Sequence, residues 1–138
     1  MGRRILAAVA LLALAASASA GIVLADPTVV HMSTFGYWEA GQRHGTYRIA
    51  LLNVGFEHPT YRAIAEWLTE PSAPGGLPQV AWSVTLVDAC LCAFDPPRIT
   101  NSKAGVVVEL SGENNAGGKV KCAFTLGQSG NVVEAQRC

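Results

Sequence analysis

Val80-Ala81-Trp82-Ser83-Val84-Thr85-Leu86-Val87-Asp88-Ala89 is the stretch that decides how this chain is read. Val80, Trp82, Val84 and Leu86 alternate with Ala81, Ser83 and Thr85. A repeat of two puts the large apolar side chains on one face of a β-strand. The next run upstream, Pro71 to Pro78, contains Ala73-Pro74-Gly75-Gly76 and reads as a loop. Before it, Tyr61 to Leu68 fits two periods. Tyr61, Ile64, Trp67 and Leu68 fall at helical spacing, whereas Tyr61, Ala63, Ala65 and Trp67 alternate with Arg62 and Glu66. Confinement between Pro59 and Pro71 leaves little room for a capped helix, so a strand is predicted.

The same signals repeat in both directions. Thr28 to Tyr37, entered through Asp26-Pro27, is rich in β-branched and aromatic residues and reads as the first strand. Glu39 to Gly45 is polar and bounded by glycine, as in a hairpin loop, and Tyr47 to Val54 follows as a strand. Downstream, Asp95-Pro96-Pro97 breaks the chain. Gly105 to Ser111 is a valine-rich strand, Gly112 to Gly118 a turn, and Lys119 to Leu126 a strand. Gly127 to Asn131 is a hairpin loop and Val132 to Arg137 a closing strand. About seven short strands at such intervals, without a helix, predict an all-β fold: an antiparallel β-sandwich or small barrel, disulfide-stapled in the C-terminal half. A strict immunoglobulin domain is excluded, because Trp38, Trp67 and Trp82 all precede the first cysteine.

The front of the chain has a different character. Arg3 and Arg4 precede an uncharged Ala/Leu/Val run from Ile5 to Ala16, and Ala18-Ser19-Ala20 offers small residues to a signal peptidase. Residues 1–20 therefore read as a secretory signal peptide, with Val23-Leu24-Ala25 as a competing cleavage site. An uncleaved span is disfavoured by the many alanines and two serines, and a twin-arginine route by the very short n-region. A lipoprotein is excluded, since the first cysteine is Cys90. The expected mature chain, residues 21–138, is a single β-rich domain in the periplasm or outside the cell, with no membrane anchor after cleavage. The whole sequence has 138 residues, 50% of them hydrophobic, and ten Lys+Arg against ten Asp+Glu. Losing Arg3 and Arg4 tips it slightly acidic. That balance argues against nucleic acid and against a polybasic membrane surface as partners.

Cys90, Cys92, Cys122 and Cys138 form an even set, which in an exported chain implies disulfides. Cys90 and Cys92, with only Leu91 between them, would close a tight ring, so each is expected to reach Cys122 or Cys138. The competing readings are Cu(I) on the Cys-x-Cys pair, zinc on four thiolates, or a redox pair. An oxidising compartment and the lack of any Cys-x-x-Cys weigh against all three.

Other candidate chemistry is sparse. His31, His44 and His58, with Glu39 or Glu57, are a candidate copper or zinc set, but none stands at close ligand spacing, and solvated loop histidines are the simpler reading. Gly127-Gln128-Ser129-Gly130 is not a nucleophile elbow, because no helix follows to expose Ser129. Asp88, Asp95 and Glu57 read as surface charges or salt bridges. Phe35-Gly36-Tyr37-Trp38 is more suggestive. Adjacent Tyr37 and Trp38 point to opposite faces of a strand, so one of them is a candidate for exposure beside the polar loop with Arg43 and His44. Tyr37, Trp38, Arg43 and His44 are thus the candidate contact for an envelope or extracellular protein or glycan. No cofactor and no resident metal is expected. The sequence points to a non-enzymatic binding module, such as an envelope assembly component or an inhibitor of a secreted hydrolase. The alternative is a small exported metal-binding protein or enzyme using His31, His44, His58 or the Cys90/Cys92 pair.

Overall fold

The computed structural model describes residues 26–138, and the export signal expected over residues 1–20 lies outside the described residues. Nine strands follow in chain order: β1 (Val29–Ala40), β2 (Arg43–Asn53), β3 (Tyr61–Thr69), β4 (Gln79–Cys90), β5 (Cys92–Phe94), β6 (Arg98–Ser102), β7 (Gly105–Asn114), β8 (Lys119–Leu126) and β9 (Val132–Gln136). The first sheet has the order β1-β2-β3-β4. The second has the order β5-β7-β8-β9, with β6 also paired to β7. All neighbours are antiparallel. The all-β expectation therefore holds as two antiparallel sheets.

Alternation along the central strands builds the core. Tyr47, Ile49 and Leu51 of β2 face inward opposite Trp67, Ala65 and Ala63 of β3. Large stands against small in two of these three pairs, which leaves room for side chains from the other sheet. Val106, Val108 and Leu110 of β7, with Cys122, Phe124 and Leu126 of β8, fill that room. Burying each large apolar side chain contributes about 1.5–3 kcal/mol. On the face of the first sheet turned away from this core, Arg48 stands opposite Glu66. Its Nε donates to Oε2 at 2.6 Å, and both side chains are largely shut from water.

The ambiguous Tyr61 to Leu68 run is β3. Tyr61, Ala63, Ala65 and Trp67 pack on the core, and the helical alternative fails because Ile64 and Leu68 fall on the opposite face. Several boundaries differ from the sequence expectation. Nine strands replace about seven, because β5 and β6 are short pieces lying along the two halves of β7. The expected loop from Glu39 to Gly45 shrinks to Gly41-Gln42, since the ladder continues through Glu39↔His44 and Ala40↔Arg43. Likewise β7 runs on through Gly112-Glu113-Asn114. The turn starts only where the Asn114 Oδ1 accepts the backbone N–H groups of Ala116 and Gly118, at 3.0 and 2.8 Å.

The cysteine pairing overturns the expectation that Cys90 and Cys92 each reach Cys122 or Cys138. Cys90 is joined to Cys92, and Cys122 to Cys138. The reason lies at Leu91, the corner where the chain leaves the first sheet for the second. Cys90 ends β4 opposite Tyr61, and Cys92 begins β5 opposite Asn114. The bend between them brings their Cα atoms to 5.1 Å, within disulfide reach. The other bridge does staple the C-terminal end as expected. Ala123 pairs with Gln136 across β8 and β9, which carries Cys138 alongside Cys122. Two disulfides suit an oxidising, exported environment.

Candidate functional site

The residues singled out around the first hairpin are sorted by one irregularity. β1 pairs Phe35 with Tyr47 and then Trp38 with Gly45, so Gly36 and Tyr37 together span a register shift. Gly36 makes this possible with φ +61°, a conformation L side chains rarely adopt. A Cβ there would also stand 3.2 Å from the Tyr47 ring and 3.3 Å from Val106. The shift turns Trp38 inward and leaves Tyr37 outside.

Trp38 is accordingly fully buried, which removes it from the candidate contact surface. Its indole N–H donates to the carbonyls of Thr46 and Leu68, at 3.1 and 3.2 Å, and its ring meets Trp82 edge-on at 5.2 Å. Tyr37 is 53% exposed. Its ring lies 5.9 Å from that of His44, and the His44 Nε2 is 3.2 Å from the Glu70 Oε2. Arg43 places its guanidinium 4.7 Å from the centre of the Trp82 ring, a cation–π contact that holds an exposed charge in a fixed position. The backbone N–H of Glu39 donates to the Gln128 Oε1 at 2.8 Å, which ties the hairpin to the β8–β9 loop.

That loop is anchored in turn by aromatic donors. The Trp67 Nε1–H and the Tyr47 hydroxyl both donate to the Gly127 carbonyl, at 2.8 and 3.2 Å. The outward surface at this end is concave. A recess of about 290 Å³ is lined by Gln42, Arg43, His44, Thr69, Glu70 and Pro71. A second, of about 380 Å³, continues over Glu70 to Gly75. Partial burial lifts the Tyr37 phenol above its usual pKa, and the Glu39 and Glu70 carboxylates add to the shift.

The remaining candidates are scattered. The His31 Nε2 meets the Ser33 Oγ at 3.3 Å, and His58 sits exposed beside Glu57 in the β2–β3 loop. Among the described residues no three His, Cys, Asp or Glu side chains gather where they would hold a metal ion. All four sulfurs are engaged in disulfides, so the Cys-x-Cys pair presents no thiolate. Asp88 pairs with Arg62 at 3.1 Å, and the Ser129 hydroxyl donates to the Asn131 side chain at 3.3 Å within its hairpin loop.

What the hairpin end offers is recognition chemistry: an exposed ring, a braced guanidinium and an imidazole–carboxylate pair. Glu70, Trp82 and Gln128, which complete it, come from the β3–β4 loop, β4 and the β8–β9 loop. None carries a local sequence signal for this role, since sheet order alone brings them to the first hairpin. The chain matches no protein family, no curated protein and no solved structure.

Proposed function

We propose that this chain is an exported, non-enzymatic interaction module, a β-sandwich that contacts a partner protein through its first hairpin. Envelope assembly or inhibition of a secreted hydrolase are the roles such a module fits. One observation carries the reading: Tyr37 stands exposed while every neighbour that positions it is fixed. His44 is held by Glu70, Arg43 by Trp82, and the backbone of Glu39 by Gln128. A rigid aromatic beside an Arg costs little ordering on binding, and these residue types dominate interface energetics. The paired cysteines, with thiols spent on disulfides, favour this over a thiolate metal carrier.

The test uses residues 21–138 immobilised with disulfides intact, against envelope extract and culture supernatant. Tyr37→Ala and Arg43→Ala are the comparison, both at exposed positions. A partner held by the parent chain and lost by both variants is then purified, and its affinity is expected to fall about tenfold or more with each substitution. A partner retained equally by both variants refutes the assignment of the surface. A partner released by free saccharide refutes the protein-contact reading.

A further inference from the structure

β9 closes the second sheet with an irregularity of its own. Leu126 pairs with Val132, but Thr125 then pairs with Glu134, so Val133 is an extra residue in the ladder. That insertion keeps Val132 and Ala135 on one face, opposite the core residues Leu126 and Phe124. Ala135 is small, and the space it leaves beside Phe124 stays open. Two residues on, the same face carries Arg137. The result is a groove of about 240 Å³ between β4 and β9, with Phe124, Leu86, Val84 and Val132 as its apolar surface. Thr85 and Arg137 supply its polar groups, and among the described residues no carboxylate lines it.

Arg137 is set apart from the other described arginines. Arg48, Arg62 and Arg98 pair with Glu66, Asp88 and Glu109, and Arg43 rests on Trp82. Among the described residues no carboxylate pairs with Arg137. Its backbone is held in place, because the next residue, Cys138, is bridged to the fully buried Cys122.

We propose that this groove binds a medium-chain fatty acid, with the acyl tail on Val84, Leu86, Phe124 and Val132 and the carboxylate on Arg137. Charge selects the head. One guanidinium takes one carboxylate through two parallel N–H···O bonds, and no anion in the lining competes. Volume selects the tail. Sites for drug-sized ligands run to about 300–1,000 Å³, so this smaller groove admits one short chain and not the two of a phospholipid. Apolar burial holds the tail without regard to direction, and the charge pair fixes which end lies at Arg137. The Cys122–Cys138 bridge thereby gains a role beyond stability, since it keeps Arg137 at the groove.

Methyl NMR of residues 21–138, disulfides intact and titrated with sodium octanoate, reads the result. Saturable shifts of the Val84, Leu86 and Val132 methyls are expected at submillimolar to millimolar octanoate. Octylammonium, the same tail with the opposite charge, binds about tenfold more weakly or worse, and acetate leaves these methyls unmoved. Arg137→Gln, at an exposed position, lowers octanoate affinity about tenfold and leaves the affinity for octanol unchanged. Ala135→Phe, also at an exposed position, refills the space beside Phe124 and weakens octanoate and octanol alike. Groove methyls that ignore octanoate overturn the proposal. So do equal affinity for octylammonium, octanoate affinity unchanged by Arg137→Gln, and tails bound as tightly after Ala135→Phe as before.

Discussion

Replacing Cys122 and Cys138 together by alanine is expected to cost more stability than replacing Cys90 and Cys92, by a margin that chain separation sets. The Cys122–Cys138 bridge spans a sequence separation of 16. Closing a loop of that length restricts the unfolded chain by about 3 kcal/mol. Cys90 and Cys92 are separated by 2, for which the same relation gives about 1.5 kcal/mol. Each pair contributes one fully buried residue, Cys92 or Cys122, so the loss of buried sulfur packing nearly cancels in the comparison. The difference left is about 1.5 kcal/mol, or roughly 5 °C in Tm for a domain of this size. Urea unfolding followed by the fluorescence of Trp38, Trp67 and Trp82 measures it, provided the slopes agree. Equal losses refute the reasoning at its root. If the sulfurs were crossed, either double substitution would delete both bridges, and the two variants would fall together and expose two free thiols each.

Gly130 sits at φ +75°, and an added Cβ would lie 2.4 Å from the Trp82 Cγ. Gly130→Ala is therefore expected to cost about 2–4 kcal/mol. Gly75→Ala, at φ +77° but facing open space, costs about 1 kcal/mol, and urea midpoints separate the two. Trp67→Phe removes the shorter of two bonds to the Gly127 carbonyl and costs about 1–2 kcal/mol. Tyr47→Phe costs less, and the double variant more than the sum, because the buried carbonyl is then unsatisfied; additive losses in a double-mutant cycle would contradict the shared acceptor. Tyr37 ionises above its usual 10.0, so the neutral phenol is the form the fold favours. Its contribution is present below the ordinary tyrosine range and lost as pH rises through the folded value. Glu39→Gln with Glu70→Gln is expected to lower the Tyr37 midpoint in a ¹³C-tyrosine NMR titration, and an unchanged midpoint would place the carboxylates elsewhere.

The β4 alternation was legible because Trp82, Val84 and Leu86 all pack on the core, and a period of two survives the strand's three register shifts. β3 was legible only through its flanking prolines, since its second face carries Ile64 and Leu68 and blurs the pattern. β5 and β6 offer too few residues for any period, and become strands only because β7 is long enough to template both. The cysteine pairing failed for a similar reason. Whether two residues flanking Leu91 can meet depends on how sharply the chain turns there, and the turn is set by the passage from one sheet to the other.

The candidate site shows where local reading ends and tertiary placement takes over. That Tyr37 and Trp38 point apart follows from strand geometry, but which one is exposed follows from Gly36, whose register shift sends the indole inward. Once inside, Trp38 meets Trp82, and Trp82 both supports Arg43 and lies against Gly130. The same loop that holds Gly130 bonds Trp67, Tyr47 and the backbone of Glu39. The exposed residues of the hairpin are thus positioned by the aromatic groups that close this end of the core. Under the proposed contact, a substitution at Trp82 or Gly130 would weaken binding without touching a partner, whereas one at Tyr37 would weaken binding and leave stability nearly unchanged. Measuring affinity and unfolding midpoint together on those variants separates residues that make contact from residues that hold the contact in place.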